Sequence, residues 1–219
     1  SNFSNLTVNA YMTAVRIFYT WLYDEDYIPK NIAKNLENVE TVKTHQRKAL
    51  TEEECASLLN YYKGQGRTRD YAMVNLMLRI GLRTIEVSRM KVGDIGQNGK
   101  NRVIWIHGKG RVGKDDFNLL EEPAFIPLRD YIAVRGHVDP NDPMFVSEAS
   151  NGKGNRIDSK TVSSIVREGL NAIGLTGAEY TAHSLRNTCG SLLIKAGISL
   201  PRVQQVMRHK NMATTQGYV

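Results

Sequence analysis

Arg102-Val103-Ile104-Trp105-Ile106-His107 interrupts an otherwise helical chain with a run of β-branched and aromatic side chains. Such a run, bounded by polar residues and glycines, reads as a strand. Beyond the loop 108–123, Ala124-Phe125-Ile126-Pro127-Leu128 has the same character and predicts a second strand, leading into a helix near 129–135. On the N-terminal side, Thr51-Glu52-Glu53-Glu54 is a capping box that opens a helix running to about Tyr62, and Gly64-Gln65-Gly66 breaks it. A helix over 69–80 stops at Gly81, and a short one follows over 84–89. On the C-terminal side, Asp139-Pro140-Asn141-Asp142-Pro143 is a loop, and Ser159 can cap a helix to about Ala172. Helices over 184–195, 200–207 and 212–218 complete the reading. The expected fold class is α+β, mainly α-helical, with a small antiparallel sheet.

The first residues form a separate unit. Tyr11, Val15, Phe18, Tyr19 and Leu22 recur at spacings of three and four, which gives a helix over 7–27 with one strongly aromatic face. Ile28-Pro29 ends it, and a short helix is expected over 32–36. Residues 37–48 are polar and without period, so the expected division is 1–36, a linker over 37–48, and a larger domain over 49–219.

With 219 residues, 41% of them hydrophobic, the chain can bury a proper core, which excludes overall disorder. No apolar run is long enough to span a bilayer, and the N-terminus carries no basic-then-apolar signal. Cys55 and Cys189 make neither a disulfide framework nor a metal cluster, and a cytoplasmic location is expected. The net charge is +7, and residues 160–219 carry most of it, with seven basic side chains against Glu168 and Glu179. That excess suits a polyanion such as nucleic acid or an anionic membrane surface, or else it is a solvated face with no partner.

The motifs remove several classes of chemistry. The five histidines show no H-E-x-x-H spacing, no phosphate-cradling G-x-x-x-x-G-K-[ST] occurs, and the nucleophile elbow G-x-S-x-G is absent. No metal and no cofactor are expected. Phosphoryl transfer without a metal needs cations to stabilise charge on the equatorial oxygens, a nucleophile, and an acid for the leaving oxygen. Arg83 follows the helix-ending Gly81-Leu82, where a glycine break can aim a side chain into a cleft. His183 and Arg186 lie three positions apart, on one face of a helix. Lys109 sits between two glycines, and His209 precedes Tyr218 by nine positions (218 − 209). Taken singly, each has a structural explanation: a salt bridge from Arg83 to Glu86, a capping His183, a cationic helix end at His209, a solubilising Lys109.

Together, Gly81-Leu82-Arg83-Thr84-Ile85-Glu86, Gly108-Lys109-Gly110, His183-Ser184-Leu185-Arg186, His209 and Tyr218 resemble the tyrosine recombinase (phage integrase) family in order and context. The resemblance covers about 49–219, and the helix at 7–27 is similar to the last part of that family's helical core-binding domain. It departs from the family pattern at Ile80, Asn187, Met207 and Arg208, positions that bear on packing or substrate contacts. It also implies a further C-terminal segment after Tyr218, exchanged between protomers, and an earlier part of the core-binding domain, neither of which this sequence includes.

The resemblance implies site-specific DNA recombination, integrating or excising a mobile element. Tyr218 would be the nucleophile forming a 3′-phosphotyrosyl bond and His183 the base. Arg83, Arg186 and His209 would hold the phosphate, and Lys109 would protonate the leaving 5′-oxygen, with Glu86 in support of Arg83. Lys160, Arg167, Lys195, Arg202, Arg208 and Lys210 are the candidate DNA-backbone contacts. The implied partners are a double-stranded recombination site, further copies of the chain in a tetrameric synapse, and accessory DNA-bending proteins, with no membrane. Two other readings stay open: a DNA-binding or assembly module with a vestigial pocket, and strand relaxation of the type IB topoisomerase kind.

Overall fold

A computed structural model describes residues 3–40, 48–106 and 116–208. The chain divides into two compact units, Ser1–Gln46 and Arg47–Val219. In the first, α1 (Asn5–Asp24) starts at Ser4, whose hydroxyl accepts from the Thr7 amide. None of its residues is buried, and Tyr11, Phe18 and Trp21 are each about half exposed. Its polar side is occupied. The Asn9 amide donates to the Val39 carbonyl at 2.8 Å and accepts from the Val39 N–H at 2.7 Å. Arg16 donates to Leu36 O and to Asn38 Oδ1, so residues 36–40 run along α1. The short helix expected over 32–36 is a set of turns instead. Asn31 accounts for it: its side-chain oxygen takes the Ala33 N–H at 3.0 Å, a local bond that competes with helix.

The second unit holds α2 (Glu52–Gly64), α3 (Thr68–Ile80), α4 (Thr84–Arg89), α5 (Glu122–Arg135), α6 (Ser159–Ala172), α7 (Ala182–Lys195) and α8 (Leu200–Met207). An antiparallel sheet of β1 (Ile95–Asn98), β2 (Asn101–Ile106) and β3 (Asp116–Leu119) is ordered β1-β2-β3, with Ile104 opposite Ile95 and Asn118. No helix among the described residues is long and apolar enough to cross a membrane. Helix α3 is buried along almost its whole length and packs on α2, α5 and α7. Around it Leu58, Tyr62, Leu76, Met77, Ile104, Leu128, Val166 and Leu185 form one apolar cluster.

Two further sequence expectations need correction. Residues 124–128 belong to α5 and are not a strand; the partners of β2 are β1 and β3. Pro123 sits in the first turn, where a missing N–H costs nothing. Pro127, inside the helix, leaves the Pro123 carbonyl without its i+4 donor. The side chain of Asn75 on α3 supplies it, donating Nδ2–H to Pro123 O at 2.9 Å. Helix α6 is capped by Asp158, which accepts from the Thr161 N–H at 2.6 Å, so Ser159 is its first residue rather than its cap. The helix expected over 212–218 lies outside the described residues.

Candidate active site

Two helix C-termini meet at the site. The last turns of α3 and α8 each leave carbonyls without an intrahelical donor, and two side chains bridge the two rows. Asn118 on β3 donates Nδ2–H to Ile80 O at 3.2 Å and to Val206 O at 3.1 Å. One step further along both chains, Arg186 on α7 donates to Gly81 O and to Met207 O. A further step on, Arg83 approaches Arg208 O at 3.4 Å. A buried guanidinium against two helix C-termini also meets the negative ends of their dipoles. Arg186 is 1% exposed and is the largest fully buried side chain among the described residues.

The backbone at this junction admits little substitution. Gly81 closes α3 in the left-handed region at φ 65°. A Cβ on it would stand 2.7 Å from the Met207 sulfur and 3.2 Å from Cys189 Sγ. The turn releases the chain into α4, whose cap residue is Arg83. Glu86, in the first turn of α4, reaches back: Oε2 accepts the Arg83 N–H at 2.8 Å and Oε1 accepts Arg83 Nη1–H at 2.7 Å. Arg208 adds Nη2–H to Oε2 at 2.8 Å. Burial raises the Glu86 carboxyl, but Arg208, the Arg83 N–H and the Arg83 guanidinium outweigh it, holding the group below the ordinary glutamate range.

Arg83 and Arg186 share a cleft of about 510 Å³ with His183, Thr181, Ser163 and Arg167. His183 is exposed in the first turn of α7, where Thr181 caps the helix by accepting the His183 N–H at 3.2 Å. Residues 83, 183 and 186, a hundred positions apart in sequence, are therefore brought to one opening. Of the other expected site residues, Lys109, His209, Tyr218 and Lys210 lie outside the described residues. Lys160, Lys195 and Arg202 are exposed. Arg167 is half-buried and donates Nη1–H to Gly177 O at 3.1 Å. Arg208 departs from the expectation of a DNA-backbone contact: its side chain is only 6% exposed and is paired with Glu86.

Sequence reasoning missed Asn118. The strand reads Asp116-Phe117-Asn118-Leu119, and its one buried residue is the amide, while Phe117 and Leu119 are 41% and 47% exposed. A polar residue flanked by apolar ones in alternation is the signal that could have marked it.

The model of the phage integrase family matches residues 48–219. The chain belongs to that family. Among curated relatives, tyrosine recombinase XerC of Caldanaerobacter subterraneus is 33% identical over 94% of this chain. The chain spans 57% of that relative's length. Among solved structures, the XerH site-specific recombinase bound to palindromic difH substrate superposes with a TM-score of 0.76 at 22% identity, over 98% of this chain and 64% of that one. The Tn1549 transposon integrase in complex with transposon right end DNA gives a TM-score of 0.75 at 20% identity, over 99% and 75%. Those likenesses establish the fold of this family member as that of the tyrosine recombinase catalytic domain, mostly helical with a three-stranded antiparallel sheet.

Proposed function

We propose that this integrase-family chain recombines DNA at specific sites by breaking and rejoining strands through a covalent tyrosyl intermediate. The observation that carries this reading is the convergence of Arg83, His183 and Arg186 on one cleft. In the proposed step, Tyr218 Oη attacks the scissile phosphorus, the bond from phosphorus to the 5′-oxygen breaks, and a 3′-phosphotyrosyl bond forms. A phenol with a pKa near 10 is a weak nucleophile at neutral pH. His183, exposed at the mouth of the cleft, takes its proton.

Arg83 and Arg186 stabilise the charge on the non-bridging oxygens, a task that suits a planar guanidinium better than an ammonium. His209 adds a further donor and Lys109 delivers the proton to the departing 5′-oxygen. Glu86 supports Arg83 by gripping both its backbone and its side chain. The phosphodiester energy stays in the protein–DNA bond, so another 5′-hydroxyl can reverse the step, and neither ATP nor a metal enters the scheme.

The likeness to tyrosine recombinase XerC and to a transposon integrase bound to transposon-end DNA supports a double-stranded DNA site as the substrate. Lys160, Arg167, Lys195, Arg202 and Lys210 are proposed to contact its backbone, which positions the protein without specifying bases. We assign residues 1–36 to the end of a core-binding domain, 37–48 to a linker and 49–219 to the catalytic domain. The working assembly is proposed to be a tetramer on paired sites, with accessory bending proteins.

The test is a nicked suicide substrate carrying the native site, incubated with the full-length protein in EDTA, with Tyr218→Phe alongside. A covalent protein–DNA band on a denaturing gel that disappears in Tyr218→Phe is the expected result. DNA binding by the wild-type protein with no covalent band, on a verified site, overturns the assignment.

A further inference from the structure

Arg208 is an expensive residue for its position. It terminates α8 in the left-handed region, at φ 53° and ψ 45°, and is one of two non-glycine residues with positive φ among those described. A glycine would hold that conformation without strain. Its side chain is only 6% exposed, and its Nε is a buried donor with no partner. Strain and an orphaned donor persist where the surroundings over-determine them, and they cluster at functional sites.

The contacts of the rest of the side chain say what over-determines this one. Nη1–H donates to Val206 O at 3.0 Å, which folds the side chain back over the end of α8. Nη2–H then reaches Glu86 Oε2 at 2.8 Å. The same oxygen accepts the Arg83 N–H, and the other carboxylate oxygen accepts Arg83 Nη1–H. Finally the Arg208 carbonyl lies 3.4 Å from Arg83 Nη2. The Arg83 side chain is 40% exposed and bonds to Glu86 and to that carbonyl. Arg208 therefore touches both restraints on the Arg83 guanidinium.

We propose that Arg208 is a positioning residue for strand cleavage: it clamps the Glu86 carboxylate and so fixes the Arg83 guanidinium in the cleft. The proposal rests on the recombinase reading above. Arg208 does not meet the DNA itself, because its guanidinium is enclosed between α4 and the end of α8. It acts on how well Arg83 is aimed. Without it, one carboxylate oxygen loses a charge-assisted bond and Glu86 is free to follow Arg83 outward. Misplacing a phosphate-holding group by an ångström is enough to slow the chemistry a hundredfold.

The experiment separates cleavage from binding and from folding. Wild type, Arg208→Met, Arg208→Gly and Arg208→Lys are compared in the full-length protein for unfolding midpoint, for DNA affinity, and for single-turnover covalent cleavage at saturating suicide substrate. Arg208→Gly removes the backbone strain, so it keeps the proposal testable where Arg208→Met folds poorly. Expected are an unchanged Kd, a cleavage rate lowered about tenfold to a hundredfold in Met and Gly, and partial recovery in Lys, whose ammonium reaches Glu86. In a Glu86→Gln background the Arg208→Met change should have little further effect, because the pair acts as a unit.

Covalent product at the wild-type rate from Met and Gly overturns the proposal while leaving the recombinase reading intact. So does a slowing that follows lost stability or affinity and is not recovered by lysine. Absence of product from the wild-type protein overturns the recombinase reading, and this proposal with it.

Discussion

Arg186 holds the carbonyl of Met207 with one nitrogen of its guanidinium while the other holds that of Gly81. One of the two arginines expected to hold the phosphate is thus also the tie between the end of α3 and the end of α8. Arg186→Lys separates the two duties, since an ammonium on a flexible stem does not reproduce the fixed fork. One buried carbonyl is left unsatisfied, at a cost of about 1–3 kcal/mol. Urea unfolding should show that loss as a lower midpoint with an unchanged slope. Covalent cleavage should fall further, by about 10²–10³, as for other removed oxyanion donors. Equal cleavage by the lysine variant would exclude Arg186 from the chemistry and leave it only its structural role.

Asn118 makes the same kind of tie from the sheet. Its Nδ2 serves Ile80 O and Val206 O, so Asn118→Leu, similar in size, removes both bonds without leaving a large void. A destabilisation of about 1–3 kcal/mol is expected from the stranded buried carbonyls. Hydrogen exchange should report where the loss falls: faster opening at the ends of α3 and α8, with α6 unaffected. Uniform loosening of the whole unit would contradict a local tie.

How far the sequence could be read follows from the range of each interaction. Helices α2, α3, α7 and α8 were legible because caps and periodic apolar positions are local: Thr51 with Glu54, Gly81 after Ile80, Pro201 after Leu200. The strand at 102–106 was legible for the same reason. Residues 124–128 were misread because Pro127 argues against helix until Asn75, some fifty positions earlier, supplies the missing donor. Strands β1 and β3 have four residues each, too short to carry a pattern, and β3 lies inside the stretch read from sequence as the loop 108–123. At the site, Arg83, His183 and Arg186 were legible as types in order, and the structure adds their convergence. Arg208 was not legible: a cationic residue at a helix end reads as surface, and only the fold brings Glu86 to it.

Glu86 gives the site a pH dependence. Its carboxyl is held below the ordinary glutamate value of 4.5, against burial, by Arg208 and Arg83. Because the folded-state value is the lower one, ionised Glu86 favours the folded protein fully above 4.5, and the contribution fades as pH falls through the lowered value. Glu86→Gln should therefore be less stable than wild type at pH 7, with the difference shrinking as the medium is acidified. Asp158 and Glu168 are lowered too, and both remain in the variant, so the difference between the two proteins isolates Glu86. Denaturant midpoints taken between pH 3 and pH 7 provide the measurement. A gap that does not change with pH would mean the side chain contributes by shape and not by charge.

Two glycines at helix ends should respond in opposite directions to alanine. Gly64 closes α2 with no positive φ and nothing within 4 Å of an added Cβ, so Gly64→Ala mainly narrows the unfolded ensemble. It should stabilise by about 0.4–1 kcal/mol. Gly81 faces both penalties at once. Its φ of 65° is strained for any L side chain, and the new methyl meets the Met207 sulfur at 2.7 Å and Cys189 Sγ at 3.2 Å. The left-handed strain costs about 1–2 kcal/mol, and displaced packing adds about 1–3 kcal/mol. The thioether end can yield more readily than backbone, so Gly81→Ala should fold with a lowered midpoint while α8 gives way. Moving α8 moves the Met207 and Arg208 carbonyls, and with them the restraints on Arg186 and Arg83. The variant should therefore lose covalent cleavage by a larger factor than DNA affinity. Wild-type cleavage from a destabilised Gly81→Ala would show that the junction of α3 and α8 does not set the geometry of the two arginines.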